Sequence, residues 1–475
     1  MRRRWLSFLC CVPLLSAAPP SVDAIFPAGG QQGKDIPLSL IGKADTDACQ
    51  FWTSDPGLTL TKPVKEKEPW RLHVASSTPL GAHWLRFYNE EGSAVPQLFV
   101  VGDVLEREEV EPNESHLVSD DVAGFPITLN GKLSKSGDVD VFALRLEKGQ
   151  RLRAEVTANQ IDSPIDPLLR LTDTEGHVLT WIHDRYSTLD PALEYQAPES
   201  ADYRLMIGGF VHPPAARSRF EGSDQTVYRL TLTSPQKPPS LTVEEVSELA
   251  LSTEVAGVIT KDGEEDAYKL VVKKDSTYTV QMKAQSLDSP LDAWLEIRDE
   301  SGKVLTTNDD SAGVDPNLTW KAPADAEVVV AVRDLRQSGG PNYHYSIKVI
   351  EPQVTFEATV EAHAWSVTSG VELSIPVKLA RSHGHARPVT ITWQAAPPLL
   401  QCQALTIPGN ANEGNLILRT QEITEPSSHL FSLRADDGLK EEAVTHPFKG
   451  ATTDQGALLR NALTDFLITT KKVED

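Results

Sequence analysis

One passage of this sequence is written twice. Gly131 to Phe142 reads Gly-Lys-Leu-Ser-Lys-Ser-Gly-Asp-Val-Asp-Val-Phe, and Gly257 to Tyr268 reads Gly-Val-Ile-Thr-Lys-Asp-Gly-Glu-Glu-Asp-Ala-Tyr, an offset of 126 residues. The same offset relates Asp162-Ser163-Pro164 to Asp288-Ser289-Pro290, and the run from Asp173 to Gly176 to that from Asp299 to Gly302. One residue is lost between Asp184 and Asp190; beyond it Asp190-Pro191 answers Asp315-Pro316 and Ala197-Pro198 answers Ala322-Pro323. Pro235-Gln236 and Pro352-Gln353 close the two copies. A period this long belongs to whole duplicated domains, not to a solenoid of short repeats.

Both copies alternate with a period of two. Phe142, Leu144 and Leu146 share one face in the first copy, and Leu152, Ala154, Val156 and Ala158 follow after the turn at Gly149. In the second copy Tyr268, Leu270 and Val272 precede Tyr278, Val280, Met282 and Ala284. Side chains change while the period survives, which predicts sheets packed on one face. Asp173 to Gly176 and Asp299 to Gly302 read as hairpin turns with glycine at positive φ. Roughly eight short strands fit each copy, a sandwich or jelly roll.

The flanks are also β-rich. Residues 25–104 predict an immunoglobulin-like module: alternation over Ile36 to Ile41, a turn at Thr78 to Gly81, a strand over His83 to Tyr88, a turn at Asn89 to Gly92 and a strand over Leu98 to Val101. Gly102 to Ser119 is acidic without apolar periodicity and reads as a linker. Residues 354–475 alternate over Gly370 to Leu379 and Pro388 to Trp393, with later strands at Leu416 to Leu418 and His429 to Ala435. The spacing of Leu458, Leu459, Leu463 and Phe466 suits a helix, a final strand being the alternative. The expected organisation is a signal peptide over 1–24, an immunoglobulin-like domain over 25–104, two tandem sandwiches over 105–236 and 237–353, and an immunoglobulin-like domain with tail over 354–475.

The leader expectation rests on Met1 to Arg4, a basic start, followed by an apolar run from Trp5 to about Ala18, too short to span a bilayer. Val22-Asp23-Ala24 offers small residues for cleavage after Ala24; cleavage after Ala18 is the alternative. Two cysteines lie in that leader, and Cys49 and Cys402 stand in different domains, so this is no disulfide scaffold. With 45 Lys and Arg against 67 Asp and Glu, the formal charge is −22. Such a surface repels nucleic acid and anionic lipid and is compatible with hard cations. The expected setting is exported, periplasmic or extracellular.

The two copies resemble bacterial pre-peptidase C-terminal domains. Glu111-Pro112-Asn113 leads into Gly137-Asp138-Val139-Asp140-Val141-Phe142, and Asp166-Pro167-Leu168-Leu169 and Asp173 to Gly176 also fit that family's pattern. Copy two carries Asn308-Asp309-Asp310 where copy one has Ile182-His183-Asp184; it shows Glu244-Glu245-Val246 in place of the Glu-Pro-Asn lead-in, and Val328 where copy one has Tyr203. The arrangement is similar to large secreted proteins of planctomycete-type bacteria, with Pro27 to Gly33 matching their Pro-Ala-Gly-Gly-Gln-x-Gly stretch. The resemblance implies a jelly-roll sandwich, a secreted setting, no catalysis by the domain itself, and a part in secretion, localisation or substrate attachment beside peptidases.

Candidate sites are few. No Gly-x-Ser-x-Gly elbow, His-Glu-x-x-His or phosphate loop occurs, so the chain reads as non-catalytic. Asp138, Asp140, Asp162, Asp166 and Asp184 recur as Glu264, Asp266, Asp288, Asp292 and Asp310. Calcium takes several such oxygens, and copy two, with Asp266, Asp288, Asp292, Asp309 and Asp310, is the preferred calcium set. The competing reading is that aspartate suits turns by binding its own backbone. His383-Gly-His385 is a weaker transition-metal candidate, a pair in a turn being more often solvated. Tyr195 and Trp320 occupy equivalent places and read as core, whereas Trp181 and Trp294 face Thr307 and Leu168 in the other copy and are the candidate ligand-binding aromatics. The reading is an all-β binding, adhesion or scaffolding protein with a protein or polysaccharide partner. The rivals are an accessory or remnant of an exported peptidase and a carbohydrate-binding protein.

Overall fold

The computed structural model describes residues 18–43, 49–64, 68–186, 188–214, 219–235, 248–310, 313–395, 399–447 and 462–472. Strands dominate these residues, and the helical elements among them are two single 3-10 turns, Asn159–Ile161 and Gln285–Leu287. The protein is all-β, and its sheets pair face to face around four apolar cores.

The repeats share one strand order. In the first copy one sheet runs Leu105–Glu108, Ile127–Lys132, Val227–Thr233, Arg151–Thr157, Ala192–Gln196; the facing sheet runs Asp120–Asp121, Asp140–Leu146, Ala201–Val211, Ile165–Asp173, Val178–Ile182. In the second, Glu254–Val258, His344–Ile350, Thr277–Lys283 and Asn317–Lys321 face Glu265–Val272, Ala326–Asp334, Ala293–Arg298 and Val304–Asn308. The residues that alternation assigned to the inner faces are buried, from Phe142 to Ala158 in one core and from Tyr268 to Ala284 in the other. Tyr195 and Trp320 pack at the margins of these cores.

Several recurring aspartates serve as backbone anchors. Asp190 accepts from the amides of Ala158, Asn159 and Gln160, and Asp315 from those of Ala284, Gln285 and Ser286. Each pins a 3-10 turn that ends on an aspartate in the left-handed region, Asp162 at φ 69° and Asp288 at φ 62°. Asp173 and Asp299 bind the amides of their own hairpin turns. A short carboxylate supplies these turns with acceptors that the backbone lacks.

The acidic stretch read as a linker is part of the first repeat. Leu105–Glu108 adds a parallel edge strand to Ile127–Lys132. Its charges find buried partners. Arg229 grips Glu106 with two bonds of 2.8 and 2.9 Å, both side chains about 5% exposed or less, and Arg107 grips Asp120 at 2.7 and 2.8 Å. Bidentate pairing makes such burial tolerable.

The two ends of the chain meet. Phe26, Ala28, Trp84 and Leu98 of the first sandwich share an apolar cluster with Ile161 and Val227 of the first repeat and Leu463 near the C-terminus. Gly29 lies against the Arg229 guanidinium, so closely that a Cβ there would overlap it. The strand Ser21–Phe26 pairs with Asp35–Lys43 and buries Val22 and Ala24, within the expected leader. Near the other end Asp465–Lys471 is a strand with Phe466 buried, while Leu458 and Leu459 lie outside the described residues. Cys49 is buried in the first core and Cys402 packs at the edge of the last.

Candidate metal centre

The glycine that opens each repeat is explained by a tyrosine. Gly131 pairs with Tyr228 and Gly257 with Tyr345 across antiparallel strands. A Cβ at either glycine would stand about 2.2 to 2.3 Å from the tyrosine ring. Each phenol, lying over its glycine, reaches the aspartate that ends the Gly-x-x-Asp run. Tyr228 donates to Asp140 at 2.7 Å and Tyr345 to Asp266 at 2.6 Å.

The copies then diverge. In the second, the Tyr345 and Tyr268 hydroxyls meet at 2.6 Å and the cluster ends there. In the first, Phe142 replaces Tyr268 and carboxylates close in. Ligand oxygens of Glu109, Glu111 and Asp140 lie within 4.8 Å of one another, and Tyr228 lies 2.9 Å from Glu109 as well. Burial pushes the Asp140 carboxyl up to about 10, with the Glu109 charge adding to it; burial raises Glu109 and Glu111 too. One phenol proton cannot satisfy two carboxylates, so the site needs a proton or a cation.

Two further groups border it. Asn113 is fully buried, and its backbone carbonyl takes the Val141 amide at 2.8 Å. Its side-chain nitrogen donates to Asp140 Oδ1 at 3.1 Å and Glu111 Oε2 at 2.9 Å. Asp138 is 2% exposed; Oδ2 takes the Ser134 amide, while Oδ1 has no hydrogen bond and stands 3.7 Å from Lys135 Nζ. The carboxylates of Glu109, Glu111, Asp138 and Asp140 thus offer an all-oxygen set of the type calcium takes, with the Asn113 amide beside them as a hydrogen-bond donor.

The preferred calcium set of copy two is dispersed. Asp266 is held by Tyr345, and Asp288 caps its 3-10 turn 3.6 Å from Arg185 of the other copy. Asp292, Asp309 and Asp310 are near enough for their charges to interact, but among the described residues the groups with ligand atoms within 4.8 Å lie in copy one. Copy two lacks the Glu-Pro-Asn lead-in; its counterpart, Glu244 to Val246, lies outside the described residues. Glu109, Glu111 and Asn113 escaped the sequence reading of the site because they sit in the stretch read as a linker. The lead-in ahead of Gly137-Asp138 was the available signal.

The other candidates separate clearly. Trp181 is 63% exposed on an edge strand. Trp294 is instead engaged: its indole donates to Glu296 at 2.7 Å and Arg333 lies over its ring at 5.0 Å. His385 is not solvated. It is buried, with Nε2 2.9 Å from Asp437 and Nδ1 2.7 Å from Arg381.

Neither a protein-family model nor a curated protein matches the sequence. Among solved structures, the pre-peptidase C-terminal domain of a Bacillus anthracis collagenase is similar at 14% identity, covering 23% of this chain and 99% of that one, with a TM-score of 0.19. The N-terminal four Ig domains of Dscam1 isoform 7.44 cover 96% of this chain and 99% of that one at 10% identity and a TM-score of 0.22. Fibronectin(III)-like modules of Clostridium thermocellum CbhA cover 47% and 94% at 11% identity and a TM-score of 0.15. None of these scores is high enough to carry a function across. Among the described residues no helix is long and apolar enough to cross a membrane.

Proposed function

We propose that this chain is an exported, non-catalytic scaffold for binding or adhesion, whose first repeat is braced by one calcium ion. The observation that carries the calcium reading is the Glu109–Glu111–Asp140 cluster, in which Asp140 is fully buried and one ligand oxygen from each residue lies within 4.8 Å of the others. The ion would bind strand-side residues Asp138 and Asp140 to Glu109 and Glu111 of the segment arriving from the first sandwich. When bound, it neutralises carboxylates that otherwise compete for one phenol proton. The scaffold reading is supported by the shared apolar cluster that joins the first sandwich, the first repeat and the last sandwich. Sandwiches held this way present their loops in a fixed array.

The test is calorimetry of the full chain with calcium and with chelator. Calcium should raise the melting temperature, and Asp140→Asn or Glu109→Gln should remove most of that rise. An unchanged melting temperature would dispose of the ion. Casein hydrolysis by the purified chain would overturn the non-catalytic reading. The polysaccharide-binding alternative is favoured by one observation, the exposure of Trp181; it requires retention on an insoluble glycan that Trp181→Ala weakens.

A further inference from the structure

A second cluster of the first repeat has a different chemistry. Asp166, His183 and Asp184 offer one ligand atom each, all within 4.8 Å of one another. The register explains the meeting. Asp166 pairs with Phe210, and Leu169 pairs with Ile182. Cross-strand partners share a face, and faces alternate along a strand. Asp166, Leu168, His183, Phe210 and His212 therefore fall on the outer face of this sheet, away from the core that takes Ile165 and Leu169. His212 continues that strand, its amide donating to Pro164 O at 3.1 Å, and stands within electrostatic reach of Asp166.

Several unmet polar atoms lie on this face, His212 standing beside the three clustered residues. Asp166 Oδ1, His183 Nε2, Asp184 Oδ1 and both ring nitrogens of His212 are buried without a hydrogen-bond partner. His183 Nε2 lies 3.2 Å from Asp166 Oδ1, and His183 Nδ1 lies 3.5 Å from Asp184 Oδ2, contacts that align no hydrogen bond. His212 is only 6% exposed. Leu168, Met206, Phe210 and Phe220 form an apolar neighbour cluster, and the Phe210 ring meets His183 edge-on at 5.8 Å. Buried imidazole nitrogens without partners are costly unless something binds them.

We propose that Asp166, His183, Asp184 and His212 bind one divalent transition-metal ion of the zinc type. Two imidazoles and two carboxylates suit zinc, whereas calcium and magnesium prefer oxygen alone. The site belongs to copy one. At the matching places copy two has Asp292, Asp309, Asp310 and Gln337, without imidazole. The ion would tie the loop after Val178–Ile182 to the ends of two neighbouring strands. It is independent of the Glu109 cluster, so either site can fail alone.

The experiment uses the full chain, stripped with chelator and returned to excess calcium so that the oxygen cluster is filled. Equilibrium dialysis against zinc, with metal analysis, should find one zinc per chain. Cobalt in its place should give visible ligand-field bands typical of a mixed nitrogen and oxygen set. His183→Asn and His212→Asn should each weaken zinc binding at least tenfold, while circular dichroism of the metal-free variants matches the parent. Absence of zinc binding at micromolar concentrations, or full binding retained by the double variant, overturns the proposal. If the variants do not fold, the cobalt spectrum of the parent decides: bands support the site, and a spectrum identical to aqueous cobalt refutes it.

Discussion

Arg86 Nη2 donates to the Asp465 carbonyl oxygen at 2.7 Å, across 379 residues of sequence. Its other terminal nitrogen donates to the His363 carbonyl at 3.1 Å, and the guanidinium lies 5.6 Å from the Trp52 ring. The side chain is wholly buried, and burial pulls its pKa down to about 10, which leaves it charged at neutral pH. One residue of the first sandwich thus bolts the last sandwich in place, with Ser428 on Asn89 O and Lys471 on Glu91 beside it.

Arg86→Ala should therefore loosen this junction. It removes two charge-assisted bonds and leaves two carbonyls without their donor, a loss of about 3 kcal/mol. Calorimetry should show an earlier transition for the terminal sandwiches with the repeat transitions unmoved. Arg86→Lys, whose single nitrogen lacks the fork, should recover only part of the loss. A melting profile equal to the parent's would show that the apolar cluster alone holds the ends together.

The same junction should sense acid. Burial, reinforced by the Arg86 and His446 charges, lowers the His363 pKa from 6.5 to about 4. The unfolded chain takes up that proton near pH 6.5, and the folded one refuses it until about pH 4. Stability is full above pH 6.5 and declines as pH falls through that window. The melting temperature of the parent should fall between pH 6.5 and 4 more steeply than that of His363→Asn. Parallel profiles would remove His363 as the cause.

Much of the fold was legible because a period of two needs no partner to be recognised. Phe142 to Ala158 announced an inner face from their spacing alone. The candidate site was harder, since the same letter serves different ends. Asp190 and Asp315 recur because each binds three amides of a turn, and only coordinates separate them from Asp140. The linker reading failed for a related reason: Glu106 is made acceptable in the interior by Arg229, which arrives from 123 residues away. His183 and His212 meet through register, not through sequence spacing.

Gly131 and Gly257 offer a paired test of the two repeats. A Cβ at either displaces the tyrosine above it, and strain of this kind costs about 1–3 kcal/mol. Gly131→Ala should also weaken calcium binding, because Glu109 Oε2 would lie only 2.7 Å from the added carbon. Gly257→Ala should destabilise its own repeat and leave calcium affinity unchanged. Calcium titration of both variants by calorimetry checks this, and equal calcium loss in the two would refute the placement of the ion in copy one.

The N-terminal strand bears on where an exported chain begins. Ser21–Phe26 pairs with Asp35–Lys43, Val22 is 4% exposed, and Gln97 Nε2 donates to the Val22 carbonyl at 2.9 Å. Cleavage after Ala24 would remove Val22 and four of this strand's six residues, forfeiting about 1.5–3 kcal/mol of side-chain burial and leaving part of Asp35–Lys43 as an open edge. Cleavage after Ala18 leaves the strand whole. A recombinant chain starting at Pro19 should therefore melt above one starting at Ile25, and mass spectrometry of the exported protein should find Pro19 first. Equal melting of the two chains, or an exported form starting at Ile25 with undiminished stability, would mean that the strand contributes nothing to the first sandwich.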